Sequence, residues 1–219
     1  MTTYTGAAFN DGPIARLLDL CISSQERGGA PIEDELVRFC RSIDNSEAAR
    51  WALPVATVAA LLDLASEELE RSGASKPPVD FIERLAKAAG GTSGPEHLRM
   101  LAGLIRVIDR QGLPDFQELP MSAWEARMKF PRIQQFEWWA GSGEFEDYDH
   151  GLREGIESEH PSGCHQELPP LAAELQQVLL IFSNKEEMEK ALRPVISWAS
   201  MSIFRDILHL IQIHFTEQH

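Results

Sequence analysis

Between Gly143 and Glu167 the chain concentrates the side chains that could do chemistry. Eight carboxylates (Glu144, Glu146, Asp147, Asp149, Glu154, Glu157, Glu159 and Glu167) stand against Arg153 alone, which is half of the net charge of −14 in a ninth of the 219 residues. His150, His160, Cys164 and His165 share the stretch. Metal ligation, proton transfer and electrostatic docking all use such groups. The His and Cys spacings match no zinc pattern. A calcium loop begun at Glu146 places Gly151 and Glu157 correctly, but puts Tyr148 and His150 where oxygen ligands are needed. Carboxylate pairs such as Asp147 and Asp149 suit acid–base work, yet in so acidic a loop they arise by chance. His209 and His214, five apart on one helix, do not share a face. The signatures G-x-x-x-x-G-K, G-x-G-x-x-G, G-x-S-x-G and H-E-x-x-H do not occur. The expectation is no metal, no cofactor and no catalytic residue.

Docking is the reading that remains. Trp138 and Trp139 stand just before the acidic run, and aromatics beside charge of one sign resemble an interface with an apolar anchor and an electrostatic surround. The expected partner-binding residues are Trp138, Trp139, Glu144, Phe145, Glu146, Asp147, Tyr148, Asp149, Glu154 and Glu157. A solvated acidic loop with both tryptophans in the core is the alternative.

The overall charge narrows the partner. Nucleic acid is bound by neutralising phosphates with Lys and Arg, so a chain with 34 acidic and 20 basic residues disfavours it, and anionic membranes with it. Complementary charge steers a basic protein toward such a surface, although acidity also serves solubility alone. Cys21, Cys40 and Cys164 are odd in number and lack C-x-x-C spacing, which suits a reducing compartment. The first residues show neither a basic nor an apolar signal region. Together these give a cytoplasmic expectation.

The elements that position these residues read as helices. Pro13 suits a first helical position, and Ile14, Leu17, Leu18, Cys21 and Ile22 form one stripe. Ile32, Leu36, Phe39, Cys40 and Ile43 form a second, and Val58, Leu61, Leu62, Ala65 and Leu69 a third after Pro54. Val79, Ile82, Leu85 and Ala89 make a short fourth helix. Ser93 can cap a fifth, in which Leu104 and Val107 widen the stripe of Leu98, Leu101, Ile105 and Ile108 toward deeper burial. Leu17-Leu18-Asp19-Leu20 is echoed by Leu61-Leu62-Asp63-Leu64, a period that suits HEAT-like paired helices. Two copies are fewer than a solenoid needs, and two amphipathic helices that merely share common residues would look the same.

Residues 113–169 read as an aromatic and acidic irregular segment with short helices. A helix then follows Pro169-Pro170, and Asn184 can cap the next. From Pro194 to Phe215 apolar residues fall on nearly every face, which reads as a buried pillar. Arg205 and Asp206 in its middle argue against a membrane span.

The expected fold is therefore all-α: one compact bundle of about seven to nine helices, with HEAT-like pairing in the N-terminal half. Residues 1–112 hold the paired helices, 113–169 the irregular segment and 170–219 the C-terminal core. The expected function is that of a non-catalytic acidic protein that masks a basic partner. Bacterial immunity proteins and antitoxins are similar in general character, though no diagnostic motif carries the likeness. The alternatives are a helical adaptor or chaperone that takes a peptide in an apolar groove, and an enzyme without a recognisable motif. An exposed apolar stripe could equally make a homodimer.

Overall fold

The computed structural model describes residues 12–45, 53–71, 77–141, 143–145 and 147–219. The N-terminal arm, Trp51, the linker residues Ser75 and Lys76, and Glu146 lie outside them. Among the described residues the chain is all helix, without a strand. It divides into two compact units, Met1–Leu119 and Pro120–His219.

The first unit holds α1 (Pro13–Gln25), α2 (Ile32–Asp44), α3 (Val55–Glu70), α4 (Val79–Ala89) and α5 (Gly94–Gln111). Four begin where proline sets the backbone: Pro13 opens α1, while Pro31, Pro54 and Pro78 precede α2, α3 and α4. Ser93 accepts a hydrogen bond from the Glu96 amide and caps α5. The stripes of α1, α2, α3 and α5 bury at their centres as their spacing predicts, but that of α4 does not: Val79 is 70% and Ile82 41% exposed, and Phe81 is buried with Leu85 and Ala89 in their place. Leu17, Leu18, Leu36, Cys40, Val58, Leu62, Leu98, Leu101 and Ile105 are fully enclosed, and each such aliphatic side chain contributes ~1.5–3 kcal/mol over leaving it in water.

The sequence echo meets two environments. Its aspartates behave alike: Asp19 pairs with Arg84 of α4, and Asp63 with Arg106 of α5. Its leucines do not. Leu20 is buried and Leu64 is 50% exposed. The helices that carry the two copies also pack differently, since α1 packs on α2 and α4 whereas α3 packs chiefly on α5. The deeper burial expected of α5 is not found either: it presents one face to α3 and leaves Val107 and Met100 exposed.

The second unit holds α6 (Ala123–Lys129), α7 (Pro131–Gln135), α8 (Glu137–Gly141), α9 (Tyr148–Glu157), α10 (Cys164–Ile181), α11 (Lys185–Leu192) and α12 (Met201–Glu217). Twelve described helices thus replace the expected seven to nine, mainly because residues 113–169 are more regular than their prolines suggest. Two boundaries also move. The last helix begins at Met201, not Pro194, because residues 192–199 close turns in which the Ile196 amide bonds the Leu192 carbonyl. It is one-sided too. Phe204, Ile207, Leu210, Ile211 and His214 are buried, while Arg205, Asp206 and His209 are exposed. Pro169 and Pro170 lie inside α10 and do not precede it. They withhold donors from the carbonyls of His165 and Gln166, but all four residues are exposed, so water can serve. Among the described residues no helix is long and apolar enough to cross a membrane.

Buried polar groups tie these short helices together. Arg41, 2% exposed, donates through Nη1 to the carbonyls of Leu119 (2.9 Å), Asp115 (3.0 Å) and Pro114 (3.3 Å), and its guanidinium lies 4.1 Å from the Phe116 ring centre. Glu174 on α10 accepts from the amides of Arg132 (2.9 Å) and Ile133 (3.0 Å), satisfying the start of α7. Burial raises its pKa despite those bonds.

Two predictions follow from this packing. Arg41→Lys keeps the charge but loses the planar fork; leaving carbonyls unsatisfied should cost about 1–3 kcal/mol in urea denaturation. His97 is buried and its Nε2 has no partner, and burial lowers its pKa. The unfolded chain therefore binds the extra proton, so stability is full above pH ~6.5 and falls as pH drops through that value toward the lower folded pKa. His97→Gln should flatten this slope relative to the native chain; an unchanged slope would remove His97 as its source.

Candidate functional site

The expected partner-binding residues separate into two groups. Trp139 and Phe145 turn inward. Their rings stack with centres 5.5 Å apart, and Phe145 meets His150 edge-on at 5.8 Å. They pack on a face of α9 that Gly151 and Gly155 keep bare. A Cβ at Gly155 would lie 2.6 Å from Trp139 Cγ and 2.8 Å from Phe136 Cζ; one at Gly151 would lie 2.6 Å from the Trp139 carbonyl oxygen. Glycine inside a helix ordinarily weakens it, whereas here the two glycines admit the aromatics. Phe136 continues the cluster to Trp198 (6.4 Å), which meets Phe204 edge-on (5.4 Å).

The other group stays outside. Trp138 is 56% and Tyr148 39% exposed. Glu144, Asp147, Asp149, Glu154 and Glu157 are exposed; Glu146 is outside the described residues. Asp147 caps α9 by accepting from the Asp149 amide at 3.0 Å. Arg153 pairs with Asp149 at 2.7 Å and is the single cation on this helix. Burial, then the charges of Asp206 and Asp149, push the Tyr148 phenol well above its usual range.

A second constellation lies where α9, α10 and α12 end or begin. His160 and Cys164 come from the turn into α10, His214 from the last turn of α12, and His219 from just beyond it. One ligand atom from each of the four lies within 4.8 Å of the others. Cys164 Sγ is 3.2 Å from His219 Nε2, and His219 Nδ1 is 3.2 Å from His165 Nε2. His214 is buried, and its Nε2 has no hydrogen-bond partner. Burial lowers the pKa of His214 and His219, and neighbouring imidazoles lower both further, while Glu157 partly offsets this at His214. Neutral imidazole is the form that ligates a metal. Cys164 is fully enclosed, so its contact with His219 offers no open nucleophile to a substrate.

Sequence reasoning named His160, Cys164 and His165 as ligand types and passed over His219. The signal was present as two short pairs, His160-x-x-x-Cys164 and His214-x-x-x-x-His219. The second has the spacing of the histidine half of many zinc sites. Pairing His214 with His209 hid it.

The glycine face of α9 generates a direct test. Gly155→Ala should lower stability by about 1–3 kcal/mol through overpacking against Trp139, whereas Gly103→Ala, where a Cβ meets nothing within 4 Å, should raise it by about 0.5–1 kcal/mol. Thermal unfolding of both variants checks the contrast. No protein-family model matches the chain, and no curated protein or solved structure does.

Proposed function

We propose that the chain is a non-catalytic binding protein that masks a basic protein partner, in the manner of a bacterial immunity protein or antitoxin. The observation that carries this reading is the outer surface of α9 and its flanks. Asp147, Asp149, Glu154 and Glu157 are exposed there, countered by Arg153 alone, and the exposed rings of Trp138 and Tyr148 belong to the same segment. A basic cleft would meet dispersed carboxylates that accelerate encounter. The exposed indole would supply the apolar anchor that such interfaces concentrate their energy in. Trp139 and Phe145 would act behind that surface, holding α9 in place, and are not contact residues in this reading.

The test compares the native chain with a Trp138→Ala, Glu154→Lys variant. Neither side chain caps a helix or fills the core, so the fold should persist by circular dichroism. The expected outcome is a basic protein captured by the native chain at low salt, released as salt rises, and bound at least tenfold more weakly by the variant, with most of the Glu154 effect in the association rate. Capture that ignores both salt and the variant would instead favour the adaptor reading, in which apolar surface does the binding.

A further inference from the structure

The geometry points to a second site that does not depend on that surface: we propose that His160, Cys164, His214 and His219 form a tetrahedral site for Zn2+. Thiolate and imidazole are the donors that this borderline ion prefers, and four protein ligands close its coordination sphere. In a zinc tetrahedron with bonds of ~2.0–2.1 Å to nitrogen and ~2.3 Å to sulfur, neighbouring donor atoms sit roughly 3.3–3.6 Å apart. Cys164 Sγ and His219 Nε2, at 3.2 Å, lie a few tenths of an ångström inside that spacing and need only a small separation to reach it. The full set, within 4.8 Å, needs about an ångström of side-chain rotation to close.

Two further features are those of a built site. The Nε2 of His214 is buried without a partner, and a buried polar atom so left costs free energy that a ligand would recover. The second nitrogen of His219 is not idle, because Nδ1 faces His165 Nε2 at 3.2 Å. A metal-bound histidine commonly has its other nitrogen held in this way, which fixes the ring's tautomer and direction. His165 is thus a positioning residue and the other four are ligands. With every position filled by protein, the ion would have no place for substrate, so its role is structural. It ties the turn between α9 and α10 to the end of α12.

The experiment uses the full, untagged chain, stripped with a chelator and titrated with Co2+. We expect one ion per chain, the strong visible absorption of tetrahedral cobalt, a near-ultraviolet thiolate-to-cobalt charge-transfer band, and displacement of both by an equimolar amount of Zn2+. Cys164→Ser should abolish the charge-transfer band. His219→Ala, at an exposed position whose loss leaves the fold intact, should abolish the tetrahedral spectrum. His165→Ala should keep that spectrum and weaken binding about 10–100-fold, the range for partners behind a ligand. Zn2+ should raise the midpoint of thermal unfolding of the native chain and leave that of His219→Ala unchanged. The proposal is overturned if the native chain gives only the weak octahedral spectrum of aqueous Co2+, or if the charge-transfer band survives in Cys164→Ser.

Discussion

A protein made of short helices has many helix ends, and every end strips backbone groups of their partners. This constraint governs both units. Side chains answer it locally where the sequence offers a cap, as Ser93, Ser122, Asp147 and Asn184 do. Elsewhere a distant element answers it. Gln25 of α1 donates to the Ala88 carbonyl at the end of α4 (2.6 Å), and Glu174 receives the first amides of α7. Part of the acidity follows from the same need. Glu33, Asp34 and Glu35, then Asp80, Glu96, Glu125, Glu137, Glu167, Glu186 and Glu187 all sit in first turns, where the helix dipole favours negative charge. Of the carboxylates offered to a partner, Asp147 caps α9 and Asp149 lies in its first turn, whereas Glu154 and Glu157 lie beyond that turn and are not explained in this way.

Local chemistry was legible in the sequence. Prolines at helix starts, serine and asparagine caps and apolar stripes at helical spacing located α1 to α5 and the cap of α11, because each depends on residues within one or two turns. What could not be read depends on tertiary contact. The density of apolar residues from Pro194 to Phe215 is the same for a helix as for a buried turn followed by one, and only the packed turn around Ile196 and Trp198 decides. Pro169 and Pro170 can remain helical because that flank of α10 faces water. Gly151 and Gly155 weaken a helix viewed alone and complete one once Trp139 lies across them.

The candidate metal centre was hidden for a related reason. Its two pairs are separated by some fifty residues, and neither is diagnostic alone. Only the packing of α12 against α9 and α10 brings them together. The docking residues show the converse. All ten were named from adjacency in sequence, yet adjacency on a helix rotates neighbours apart: Trp138 faces out and Trp139 in.

The cap that Glu174 provides also bears on how the chain acquires its shape. Ser93, Ser122 and Asn184 lie beside the helices they start, so those turns can nucleate in a nascent or collapsing chain. The five residues of α7 are too few to hold a helix unaided, and their first amides wait for a carboxylate 41 and 42 residues away. That bond forms only after a loop of this length has closed, with its entropic cost already met. Helix α7 is therefore a product of docking and not a seed for it, and the place from which each helix draws its cap orders their formation in time.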